Sequence, residues 1–201
     1  MLDEALTKGE RTRLSIMEAA YALFLERGFH ATSMRQIAER SGLALGGIYN
    51  HFPSKEDVFQ AIMVERHPYF QILPVLLAAP GETVEEFVRN AAQALISELG
   101  QRPDFIKLMF VEIVEFDGQH MPMLFEKMFP EILPLIQRFQ VPEGELRPFP
   151  TPILLRAFLG LFFSYYMTEF LIGHVMIPEL QENALDHFVD IFLHGILAGD
   201  S

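Results

Sequence analysis

Apolar residues return along this chain at helical spacing, and strand-like alternation is absent. Ile16, Ala20, Leu23 and Phe24 fall on one inward face of a first helix. Thr7 with Glu10 makes a capping box that opens it, and Gly28 after Glu26-Arg27 is its stop. Ser33 with Gln36 caps a second helix that runs to about Arg40, and Gly42 ends it. A third short helix is expected over 45–52. Ser54 with Asp57 opens a fourth over 54–78, which Pro68 and Pro74 should kink or segment. Further helices are expected near 82–99, 104–117, 121–139, 152–173 and 179–198, punctuated by prolines at or near their starts. The pattern predicts an all-α protein of about nine helices.

Two of these helices carry more apolar surface than one core face needs. Helix 152–173 has Leu154, Phe158, Leu161 and Tyr165 on one side and Leu155, Leu159, Phe162, Tyr166 and Phe170 on another, which predicts burial of both. In helix 179–198, Leu185, Phe188, Val189, Phe192 and Ile196 form a core face, and Ala184, Ile191 and Gly195 leave an edge that admits a partner helix. Together they suit a four-helix interface across a two-fold axis, and so a homodimer through 152–173 and 179–198. The uncharged run 157–168 is short against the ~20 residues of a membrane span, so no membrane association is expected.

Charge divides the chain of 201 residues unevenly. The overall net charge is −12, yet residues 1–66 carry only −1 and the remainder −11. Sixteen of the nineteen phenylalanines lie beyond residue 53. A near-neutral head therefore precedes an acidic, Phe- and Met-rich body. The expected division is 1–53 for the head, 54–78 as connector, and 54–201 for the body. The absence of cysteine removes disulfides, Cys-ligated metals and thiol chemistry, and fits a reducing cytoplasm. The first thirteen residues lack the apolar stretch of a signal peptide.

The head carries the most specific spacing. Ala38 is small where a second helix would cross the first, Gly42 suits a positive-φ turn, and Ile37, Leu43 and Ile48 seat the helix that follows. This fits a helix-turn-helix, or an ordinary αα corner. The outward residues favour the former. Thr32, Ser33 and Arg35 cluster at the start of the second helix, and Tyr49, Asn50, His51 and Lys55 lie on or just beyond the third. These are phosphate and base-edge ligands in small, directed numbers. Gly46 and Gly47 are poor helix formers that suit close approach of the backbone to a bulky partner.

The stretches 32–38, 41–43, 46–52 and 54–56 resemble the TetR family of bacterial transcriptional regulators, over about residues 10–60. The resemblance implies a three-helix DNA-binding domain whose third helix reads the major groove as half of a dimer. It implies phosphate contacts at Thr32, Tyr49, His51 and Lys55, and base or backbone approach at Gly46, Gly47 and Asn50. Leu45 stands where a polar or basic residue is common, which leaves room for contact with a thymine methyl. It further implies a helical ligand-binding and dimerisation domain, and a double-stranded operator as partner.

For the body, the Phe- and Met-rich helices 82–139 read either as plain core or as an adaptable apolar cavity. With the resemblance, the expectation is a small lipophilic effector contacting Phe87, Met109, Glu112, Phe116, Phe125, Met128, Phe162, Tyr165, Tyr166 and Glu169. No catalytic motif appears: there is no nucleophile elbow, Gly-rich phosphate loop or HExxH. No resident cofactor or metal is expected, His187, Asp190 and His194 being a thin basis for one. The rival class is an all-α enzyme or helical adaptor with a head of similar spacing.

Overall fold

A computed structural model describes residues 6–67, 69–140 and 146–197. The helices are α1 (Lys8–Arg27), α2 (Met34–Arg40), α3 (Leu45–Ile48), α4 (Lys55–Glu65), α5 (Tyr69–Leu77), α6 (Val84–Gly100), α7 (Pro103–Phe116), α8 (Met121–Gln137), α9 (Thr151–Ile172), α10 (Pro178–Gln181) and α11 (Ala184–Ile196). Apart from one isolated bridge between Leu146 and Leu197, the described residues hold no extended pairing. The all-α reading holds.

Local chemistry explains most boundaries. Thr7 and Glu10 make both halves of their capping box, as do Ser33 and Gln36. A third box, Thr83 with Glu86, opens α6. Three expected helices differ. The helix expected over 45–52 is regular only to Ile48, after which His51 and Phe52 N–H groups both donate to the Ile48 carbonyl at 3.0 Å in a tightening turn. The helix expected over 54–78 is two, α4 and α5, and Pro74 lies inside the second. The one expected over 179–198 is also two. Asn183 takes the left-handed conformation (φ 54°) between α10 and α11, a geometry asparagine tolerates better than most side chains.

Packing divides the chain elsewhere than at residue 53. One compact unit comprises 1–68 with 103–127, and the other 69–102 with 128–201. Helix α7 and the start of α8 thus belong with the head.

In the first unit, Ile16, Ala20, Leu23, Phe24, Ile37, Ala38, Ile48, Val58 and Ile62 are buried. Phe59 of α4 sits among Phe24, Phe29, Phe116 and His120, stacking on Phe116 at 4.6 Å between centroids. Beside these rings the fully buried Glu112 accepts from the His120 backbone N–H and faces His120 Nδ1, both at 2.8 Å. That carboxylate ties the end of α7 to the start of α8.

His67 is buried as well, with Nε2 3.4 Å from the Met109 sulfur, and burial pushes its imidazole down to about 4. A histidine held neutral in the fold contributes stability above its unfolded pKa of about 6.5. That contribution is lost as pH falls from there toward 4. We expect urea unfolding to show about 2 kcal/mol lost between pH 7 and pH 5 through this group. His67→Gln should remove that part of the pH dependence, and an unchanged slope would contradict it.

In the second unit Phe87, Phe139, Phe158, Phe162 and Phe192 form a continuous ring cluster, with Phe158 and Phe162 4.8 Å apart. Arg138 covers the Phe87 ring at 4.3 Å and donates to the Gly81 carbonyl at 2.9 Å. Arg89 on α6 joins Asp190 on α11 at 2.7 Å. Helix α9 buries Leu154 and Phe158 of one expected side and Leu155, Phe162 and Tyr166 of the other, while Phe170 at the end of the second is exposed. Ile153, Leu171, Ile172 and, beyond the helix, Val175 are exposed. By length and composition alone, Thr151–Val175 would be long and apolar enough to cross a membrane.

Candidate nucleic-acid interface

Helices α2 and α3 are held by residues whose types the fold requires. Ala38 is buried, and its carbonyl accepts the Leu43 N–H at 2.8 Å across a turn in which Gly42 takes φ +72°. Only glycine adopts that conformation without strain. Ile37 and Ile48 close the inner side. The outer side is left to solvent: Leu45 is 44% exposed and Tyr49 49%, with Gly46 and Asn50 also exposed. A Cβ on Gly46 or Gly47 would meet nothing within 4 Å. The protein's own packing therefore does not demand glycine there.

Thr32, Ser33, Met34, Arg35, Leu45, Tyr49, Pro53, Ser54, Lys55 and Glu56 enclose an open concavity of about 560 Å³. The structure thus gathers Thr32, Ser33, Arg35, Leu45, Tyr49 and Lys55 around one hollow. Asn50 and the half-buried His51 are not among its lining residues, and His51 instead faces a neighbouring cleft with Arg13 and Gln60.

Not every expected ligand is equally available. Thr32 is only 2% exposed, and its hydroxyl donates to the Gly28 carbonyl at 2.9 Å, so it anchors the loop from inside. The Ser33 hydroxyl caps its own helix. Arg35 reaches out but pairs with Glu39 at 2.9 Å. Lys55 Nζ donates to the Phe29 carbonyl at 2.7 Å and lies 4.1 Å from the Phe29 ring centroid. Burial lowers its pKa, which Glu56 and Glu115 partly oppose. Other head arginines are engaged away from the hollow: Arg13 with Glu65, Arg40 with Glu26, and Arg66 with Glu18. Cation supply at the concavity is therefore small and directed, as the near-neutral head suggested. Phe29, whose carbonyl and ring hold Lys55, carried no periodic signal.

A family model described as "Bacterial regulatory proteins, tetR family" matches residues 16–62, which span this whole arrangement. Residues 16–62 thus match the N-terminal segment of the TetR family. The chain is 40% identical over 65 residues to the HTH-type transcriptional regulator UidR of Escherichia coli K12, covering 32% of this chain and 33% of UidR. The match thus spans about a third of the curated relative. YvkB of Bacillus subtilis, described as an uncharacterized HTH-type transcriptional regulator, is 23% identical over 93% of this chain and 98% of its own. The fold is shared with native NalD, described as the secondary repressor of the MexAB-OprM multidrug efflux pump in Pseudomonas aeruginosa. The TM-score is 0.62 at 23% identity, over 94% of this chain and 98% of NalD.

The residues expected to contact an effector fall in both units. In the first, Glu112 is locked to His120, Phe116 is buried against Phe29 and Phe59, Met109 faces His67, and Phe125 is exposed. In the second, Phe87 and Phe162 are ring-cluster core, and Met128 is buried. Tyr165 lies edge-on to Phe188 at 5.1 Å. Burial, and then Glu169 and Asp186, push its phenol up, keeping it a neutral donor at physiological pH. Tyr166 is also raised by burial. Among the described residues no group of three His, Asp or Glu is arranged to hold a metal ion. Asp190 is taken by Arg89, and His194 Nδ1 lies 2.7 Å from the Asp190 carbonyl.

Proposed function

We propose that this protein is a cytoplasmic homodimeric transcriptional repressor that binds a pseudo-palindromic DNA operator and is released by a small lipophilic effector. The observation that carries the DNA reading is the outer face of α3 and the turn after it, open and apolar-to-polar at Leu45, Tyr49 and Asn50, beside a hollow containing Lys55. Leu45 suits a thymine methyl, Asn50 a base edge, and Tyr49 and Lys55 the phosphates. Two such heads would address half-sites roughly 34–36 Å apart, or a multiple of one DNA turn. Repression follows the role printed for NalD.

The dimer reading rests on exposed apolar surface that the protomer leaves uncovered. Ile153, Gly160 and Leu171 of α9 and Ile191 and Gly195 of α11 are all exposed, on helices that share the second unit's core. The effector reading rests on Tyr165 and Glu169, one turn apart and half-buried on α9. They would orient the polar end of a lipophile, its body lying against soft side chains such as Met128. Stabilisation by such a compound, and release of DNA at the same concentration, are the measurements for it.

The deciding experiment is selection of bound duplexes from a random pool, followed by titration of variants. Lys55→Ala should weaken all sequences alike and flatten the salt slope by about 1, whereas Asn50→Ala should relax preference at one position. A Tyr49→Ala, Lys55→Ala double variant that binds the selected duplex as wild type does would refute the assignment.

A further inference from the structure

Two neighbouring residues at the end of α7, Glu115 and Phe116, meet two neighbouring residues of the loop between α1 and α2, Phe29 and His30. A Glu115 carboxylate oxygen lies 2.5 Å from His30 Nε2. The Phe116 ring stands edge-on to Phe29 at 4.8 Å. The same loop continues into Thr32 and Ser33 of the concavity, and its Phe29 carbonyl and ring hold the Lys55 ammonium. Helix α7 therefore grips the piece of backbone that positions the phosphate-binding cation.

The two ends of the ion pair differ in access. The His30 side chain is 80% exposed, while that of Glu115 is 21% exposed. The imidazole is thus open to an incoming polyanion on the side away from α7. A carboxylate and a phosphate are the same kind of partner for it, since both present oxygen anions to an N–H donor. Only one of them can hold Nε2 at a time.

We propose that Glu115 is an internal competitor of the DNA backbone, holding His30 on α7 until a phosphate displaces it. The inference rests on the DNA-binding reading above and adds a residue distant in sequence that sets its strength. The competition extends to Lys55, which feels the same carboxylate. A solvent-open pair of this kind is weak, which suits a contact broken at each binding event. It also gives any rearrangement of α7 a direct route to DNA affinity, because withdrawing Glu115 frees an imidazole N–H donor on the loop that leads into the concavity.

The test is a double-mutant cycle on the full chain: wild type, Glu115→Gln, His30→Gln and the pair. Anisotropy would follow a selected duplex and an unrelated one, and retention on heparin would report polyanion binding without any sequence requirement. Glu115→Gln should tighten both duplexes by up to about fivefold, the usual ceiling of an exposed ion pair, and elute from heparin at higher salt. His30→Gln should change little by itself, yet reverse most of that gain in the Gln background. Equal or weaker binding by a Glu115→Gln protein of unchanged thermal midpoint overturns the proposal. So does the same gain with and without His30, which would mean a long-range field and not competition. Should wild type bind neither duplex while the heparin cycle behaves as expected, the DNA reading fails and the competition for anions stands. If the heparin cycle is flat as well, both fall.

Discussion

Gly195→Arg should turn the protein into a monomer of 23.0 kDa and reduce affinity for a palindromic duplex by about a hundredfold or more. Residue 195 lies on the exposed edge of α11 one turn beyond Ile191, which is 64% exposed. A Cβ there meets nothing within 4 Å, so the protomer accommodates the new side chain without strain. Arginine is also the better helix former, by somewhat less than the ~0.8–1 kcal/mol that separates glycine from alanine. The substitution therefore leaves folding intact and acts only where another chain would pack. Loss of affinity follows because two linked heads bind as one, and a single head forfeits the effective concentration of its twin. Sedimentation at micromolar concentration, together with the thermal midpoint, checks both halves. A dimer retained with arginine at 195 would place the interface elsewhere.

Phe59→Ala carries the other large effect, on stability. This ring is fully buried and touches Phe24, Phe29, Phe116 and His120, so it joins α1, the 28–33 loop, α4, α7 and the start of α8. Removing a buried phenylalanine costs about 3–5 kcal/mol, a large share of the 5–15 kcal/mol that holds a domain together. For a chain of this size each kcal/mol lowers the midpoint by about 2–4 °C, so a fall on the order of 10 °C is expected in calorimetry. Val114→Ala is the comparison, on the same α7 but 71% exposed, and should stay within about 0.5 kcal/mol. Equal behaviour of the two variants would show that the ring cluster contributes no cooperative packing.

The features legible in the sequence were those that depend on residues a few positions apart. Capping boxes at Thr7 and Ser33 are contacts three residues long, and the inward face of α1 is a periodicity, so both emerge from spacing alone. The head's turn is similar, since a small residue, a positive-φ glycine and two apolar anchors lie within about a dozen positions. Helix lengths were less legible. Two glycines and a tightening turn ended α3 at Ile48, and Asn183 interrupted what periodicity joined across α10 and α11. Each break is a backbone choice that the side-chain pattern does not encode.

Among candidate site residues the same division holds. Sequence identified an outer face at Leu45, Gly46, Tyr49 and Asn50, because whatever does not face the core of a short helix must face out. It did not distinguish Thr32 as an internal anchor, since a hydroxyl's partner is set by the loop around it. Nor did it reveal the role of α7. Glu112 and Phe116 read as members of an apolar effector box, but they pack in the unit that holds the head.

By itself, then, the sequence determined helices, their caps, a helix-turn-helix and a surplus of apolar surface on the last two long helices, because each arises from interactions along one stretch of chain. Only the tertiary structure decided that residues 103–127 belong with residues 1–68, that Phe59 stacks on Phe116, and that His30 meets Glu115. An apolar face states that it must be buried but not against what. Burial is non-directional, so the partner is chosen by the geometry of the whole chain.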